Sequence, residues 1–128
     1  MSLSYQTTLI PRGAYTAVQL SANQENDLQR GVMLSLHVFA NPGGAETLTI
    51  QLIELGQAGN ADQVIGSLAT AAATNGTWRL MWYPGASTAM EGNHHKTYSQ
   101  RLSRRWRVNI AHSSTGSWTY RVDADLLH

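Results

Sequence analysis

Histidine is the residue type in this chain best suited to chemistry, and two of its five copies, His94 and His95, are adjacent. In an extended segment neighbouring side chains point to opposite sides, so this pair does not converge on one ion. A structural zinc site takes four ligands, usually including cysteine, and the chain has no cysteine. The same lack removes disulfides, thiolate nucleophiles and iron–sulfur ligation together. His37 falls beside Met33 and Phe39, and His112 ends a run of alternating apolar residues. Both read as surface or interface residues, and no metal or cofactor is expected.

Nucleophilic catalysis has little more to work with. Serine, histidine and aspartate all occur, yet no Gly-x-Ser-x-Gly elbow presents a serine at a strand-to-helix turn. Gly43-Gly44 sits in a turn between strands, not before a helix where a phosphate would bind. A non-enzymatic protein is expected. Trp78, Trp82, Trp106 and Trp118 are numerous enough to suggest a sugar-binding face. All four share the parity of the aliphatic residues around them, which favours a place in the core.

What must position these residues is legible in the bulk composition. Charged residues make up 13% of the chain, so Ser, Thr, Asn and Gln must build most of the polar surface. That is about half the usual share in soluble domains, and it suits sheet surfaces and surfaces that pack against other subunits. The net charge of +1 gives no reason to expect a specific nucleic-acid partner. Residues 1–78 hold two arginines against five acids, and residues 79–128 hold seven basic groups against three acids. No apolar run approaches the ~20 residues of a membrane helix, so no membrane is expected. The opening Met1-Ser2-Leu3-Ser4-Tyr5 lacks the basic start and apolar core of a signal peptide.

Apolar residues recur with period two along most of the chain, the mark of half-buried strands. The clearest run is Val32, Leu34, Leu36 and Val38, stopped by Asn41-Pro42-Gly43-Gly44. Leu48, Ile50 and Leu52 follow, then Gln63 to Thr70, then Trp78, Leu80 and Trp82, then Trp106, Val108 and Ile110. A turn over Ser113 to Ser117 leads into Trp118, Tyr120 and Val122. Weaker strands are expected in Tyr5 to Ile10 and Ala14 to Leu20, and the Ala-rich Gly66 to Ala73 is open to one helical turn. The sum is an all-β single domain over residues 1–128, an antiparallel β-sandwich of about eight short strands. A short N-terminal arm (about 1–11) and a long loop (85–103) complete it.

Two hairpins suggest a register. With a five-residue loop Ile110 opposes Tyr120, Val108 opposes Val122 and Trp106 opposes Ala124, which sets Arg107 against Asp123 and Arg105 against Asp125. A three-residue loop would oppose Arg107 and Arg121, which is unfavourable. By the same reasoning Val38 pairs with Leu48, Leu36 with Ile50 and Leu34 with Leu52.

Two strands are apolar on their outward side as well. Met33, Phe39, Met81 and Tyr83 occupy positions where a half-buried strand should be polar. Either the arm or the long loop covers them, or they form a subunit interface, where aromatics and Met are enriched. The loop is long for a compact domain and holds Met90, His94, His95, Tyr98 and Arg101, so it reads as an ordered contact loop. Together these nine residues form the expected interface set.

The order of several short segments is also familiar. Thr8-Leu9-Ile10-Pro11 is followed by Thr16-Ala17, Arg30-Gly31-Val32, Thr49-Ile50-Gln51 and Tyr83-Pro84-Gly85. Arg105-Trp106-Arg107-Val108, Tyr120 and Val122 close the series. In that order and spacing the chain resembles small structural proteins of tailed bacteriophages, the head decoration and minor head proteins. The resemblance implies a β-sandwich on the capsid surface of the virion, made in the bacterial cytoplasm. It implies a homo-oligomer, a trimer by preference, with the major capsid protein as partner and a role in stabilising the head. A tail or head–tail connector component is the alternative within the class, and a carbohydrate-binding module the alternative outside it. The chain departs from the pattern between Ala86 and Ser103, where its loop is longer and richer in His and Arg.

Overall fold

Alternation of the kind seen along this chain produces strands, and the computed structural model, which describes residues 4–26, 29–56, 61–87 and 91–127, contains ten of them and no helix among those residues. They are β1 (Ser4–Tyr15), β2 (Gln19–Leu20), β3 (Gln24–Glu25), β4 (Gly31–Ala40) and β5 (Leu48–Glu54), then β6 (Gln63–Ala69), β7 (Gly76–Trp82), β8 (His95–Tyr98), β9 (Arg105–His112) and β10 (Trp118–Leu127). One sheet runs β1-β10-β4-β7-β8 and the other β2-β9-β5-β6, with β3 also on β9. The architecture is the expected β-sandwich. All ladders are antiparallel except β7 with β8, which is parallel.

The inner faces hold the residues that alternation selects. Val32, Leu34, Leu36 and Val38 from β4 are buried, as are Leu48, Ile50 and Leu52 from β5 and Val108 and Ile110 from β9. All four tryptophans are buried, together with Tyr120 and Val122. These residues form one continuous core.

Two polar groups reach that core. His112 Nε2 lies 2.9 Å from Tyr120 Oη. Burial, and secondarily Tyr15, pushes the Tyr120 hydroxyl well above its ordinary range. Burial also holds the His112 imidazole below its ordinary 6.5, with Glu46 opposing. The geometry agrees, because an imidazolium needs both nitrogens to donate and Nδ1 is buried without a partner. An unfolded chain then binds a proton below pH 6.5 that the folded chain resists, so stability is full above that pH and falls as the pH drops through it. Melting temperatures near pH 7.5 and pH 5.5 should therefore differ less in His112→Gln than in the parent protein. An equal acid loss in both would remove His112 as the cause.

The registers set out from the sequence do not form. β9 and β10 lie in different sheets, β9 pairing with β5 (Ile110 with Ile50) and β10 with β4 (Val122 with Leu36). Arg107 therefore does not meet Asp123 but bonds Asp62 at 2.9 Å, and Asp125 stands opposite Met33 instead of Arg105. β4 and β5 are likewise separated, so Val38, Leu36 and Leu34 do not pair with Leu48, Ile50 and Leu52. The Asn41–Gly44 turn is real, with Asn41 Oδ1 accepting from Gly43 N at 3.0 Å and positive φ at Gly43 and Gly44. It carries the chain across the core to the other sheet, and the turn after β9 does the same. Two strands facing each other across a core bury the same residues as two strands side by side, so burial alone did not distinguish the arrangements.

Three smaller expectations also shift. From Ser4 onward the N-terminal arm is strand β1, laid along β10 from Ser4 opposite Leu127 to Tyr15 opposite Trp118. The Ala-rich stretch stays extended through Ala69 and turns only near Ala73, whose φ is 50°. The long loop contains β8, which extends the first sheet at its edge.

Candidate functional site

The outward residues of the first sheet and the described residues 85–87 and 91–103 form one region. Gly85 opens it, with φ of 75° that favours glycine and a backbone N–H bonded to Ser99 Oγ at 3.0 Å. Backbone bonds from Arg79 N to His94 O (2.9 Å) and Tyr83 N to Tyr98 O (3.0 Å) tie β8 to β7. Two side chains then anchor the strand. His94 stacks on Trp78 with ring centroids 4.6 Å apart, and Tyr98 stacks on Trp82 at 4.9 Å. The Tyr98 hydroxyl also accepts from Ser67 N at 3.2 Å, joining the open edges of the two sheets.

This arrangement separates the expected interface residues into groups. His94 and Tyr98 secure β8 to core tryptophans. His95 is half-buried, with Nε2 3.0 Å from Thr97 Oγ1. Arg101 has an exposed side chain, and its backbone oxygen accepts from Trp82 Nε1 at 2.8 Å. Met33 and Met81 are half-buried cross-strand neighbours on the outer face, and Tyr83 lies beside Gly31. Phe39 is exposed at the far end of β4, with the Arg12 guanidinium 4.0 Å above its ring. Met90 lies outside the described residues. The structure thus places Met33, Met81, Tyr83 and His95 near one another and Phe39 apart from them.

A polar row that the sequence did not reveal crosses the same face. Asp123 is buried, accepting from Thr8 Oγ1 at 2.9 Å and from Arg121 Nε at 3.0 Å, and lies 3.3 Å from His37 Nε2. His37 Nδ1 in turn is 3.1 Å from Thr77 Oγ1. A carboxylate, an imidazole and a hydroxyl are thereby aligned across β10, β4 and β7. The row lies on a strand surface, while clefts of about 690 and 440 Å³ lie elsewhere, around Arg30 and Arg101 and around Glu54 and Arg105. With Thr8 of β1 it links four strands and satisfies a buried carboxylate. Outward parity at Thr8, His37, Thr77 and Asp123 was available as a signal; the strand order that aligns them was not.

Elsewhere, the Asp62 carboxyl is held below its ordinary 3.8 mainly by the Gly56 N–H and then, against burial, by Arg107. Among the described residues no three His, Asp or Glu side chains gather as metal ligands. Among the same residues no helix is long and apolar enough to cross a membrane.

No family model and no curated protein matches the chain. Among solved structures it is similar to the crystal structure of PirA, with TM-score 0.44 and 14% identity over 98% of this chain and 93% of that one. It is also similar to the structure of the infectious bursal disease virus Gx strain, with TM-score 0.50 and 13% identity over 98% of this chain. The aligned part is 32% of that viral chain, so this protein spans about a third of its length. At such identities the second likeness speaks for the fold, a β-sandwich.

Proposed function

We propose that the protein is a non-enzymatic virion structural protein, a capsid decoration protein of a tailed bacteriophage that stabilises the head by binding adjacent major capsid protein subunits. The observation that carries this reading is the outer face of the first sheet. Met33 and Met81 lie side by side there with Tyr83 near them, and β8 extends the sheet as an ordered edge. Outward apolar residues of this kind suit contact with a neighbouring subunit. The order of short segments from Thr8-Leu9-Ile10-Pro11 to Tyr120 and Val122 supports the phage assignment, and a fold of the same type occurs in a viral structure. In this role the protein sits on the capsid surface as a homo-oligomer. Weak contacts repeated on a lattice act together, and binding only the assembled shell stabilises it by mass action. No cofactor takes part.

The carbohydrate-binding alternative loses its platform, because all four tryptophans are buried. Testing the shell reading needs surface changes, since deleting the loop would remove the His94 and Tyr98 anchors. Arg101→Glu and Met81→Lys should lower occupancy on purified phage shells and lower the shell melting temperature relative to the parent protein. Unchanged occupancy and shell melting in both folded variants would dismiss this face as the contact. Binding to purified tails in place of shells would assign the protein to the tail.

A further inference from the structure

The outer face of the second sheet differs from that of the first in one respect: its middle carries no charge. One row across it is Leu20, Asn109, Gln51 and Ser67, aligned by the pairings of β2, β9, β5 and β6. The next row is Ala111, Thr49 and Ala69. A third holds Arg107, Ile53 and Val64, where Ile53 is already buried within the chain and the arginine is bonded to Asp62 and Asn109. Free charge begins only beyond that row, at Arg105 and Glu25. The exposed large hydrophobic residues concentrate here too. Leu20 (56% exposed) and Val64 (54%) lie on the face, and Val18 (53%) precedes β2 beside it.

We propose that this face is a self-association surface on which a second copy of the chain packs sheet to sheet about a two-fold axis. The choice of occupant follows from charge. A charged partner surface would lose water over these rows and find nothing to pair with. A second copy presents the same neutral rows, so no like charges oppose, and the Arg107–Asp62 pairs at the rim are already compensated. The outer face of the first sheet has no such freedom, since stacking it would bury Arg79 and the Asp123–Arg121–His37 group at its middle.

Area bounds the size of the contact. Three strands about 4.8 Å apart, over about five residues rising about 3.4 Å each, with the two residues of β2 beside them, cover roughly 300 Å² in projection and about twice that with side-chain relief. Two such faces bury about 1,200 Å², the lower end for specific complexes, which fits a reversible pair.

The test uses the free protein without shells, so its failure leaves shell binding open and the reverse also holds. Sedimentation velocity from about 5 to about 500 µM should show the mass rising towards two copies. Ser67→Lys and Leu20→Lys replace exposed residues, and near-ultraviolet dichroism of the buried tryptophans checks that each folds. Each should weaken association by about tenfold or more through like charges across the axis, whereas Arg79→Ala on the other sheet should leave it unchanged. A monomer at all concentrations, an assembly of three or more copies, or a pair insensitive to both lysines would overturn the proposal.

Discussion

Gly31→Ala will destabilise the protein at or above the upper end of the ~1–3 kcal/mol usual for overpacking. Gly31 opens β4, buried between Leu127 of β10 and the end of β7. A Cβ there would stand 2.1 Å from the Trp82 carbonyl oxygen and 2.7 Å from Tyr83 Cδ2. The first obstacle is backbone, so no rotamer change relieves it. The strands would have to part, and β4 is held on its other side by β10. Urea denaturation should show a lower midpoint with an unchanged slope, the sign of altered stability without an altered unfolded state. Gly92→Ala serves as the control, because a Cβ at Gly92 meets nothing within 4 Å. A Gly31→Ala effect as small as that of the control would show that the β4–β7 contact is looser than described.

Ile110→Ala should cost about 2–5 kcal/mol, the range for removing a fully buried aliphatic side chain and leaving part of its volume empty. Ile110 is fully buried at the middle of β9, between Ile50 of β5 and Gln19 of β2. Strands on both sides limit how far the backbone can close over the void, which argues for the larger part of the range. Val108→Ala, one inward position earlier and equally buried, removes one carbon fewer and should cost less. Both are measured from the denaturation midpoint, with sheet content monitored by far-ultraviolet dichroism. A loss below about 1 kcal/mol for Ile110→Ala would mean the core refills around the cavity.

The residues behind these two predictions were unequally legible. Ile110 as a core position follows from period-two alternation, because in a strand the side chain two residues on returns to the same face. The same rule placed the four tryptophans inside, and Asn41-Pro42-Gly43-Gly44 marked a turn through its own local chemistry. Glycine at 31 was visible in the Arg30-Gly31-Val32 segment that opens an apolar strand. Its reason, the Trp82 carbonyl beside it, was not, since that contact joins residues far apart in the chain.

Alternation by itself determined β4, β5, β6, β7, β9 and β10, the core side of these strands and the β-sandwich class. Only the tertiary structure decided which strand lies beside which. Backbone ladders form between any two extended segments, and a core is filled equally well by strands adjacent in one sheet or opposed in two. Hence Arg107 and Asp123, plausible partners along a hairpin, found Asp62 and the Thr8–Arg121–His37 group instead. The parallel placement of β8, its aromatic anchors on Trp78 and Trp82, and the neutral rows of the second sheet all depend on that lateral order. Period two specifies the side a residue faces; the neighbour it meets there is set by how the strands assemble.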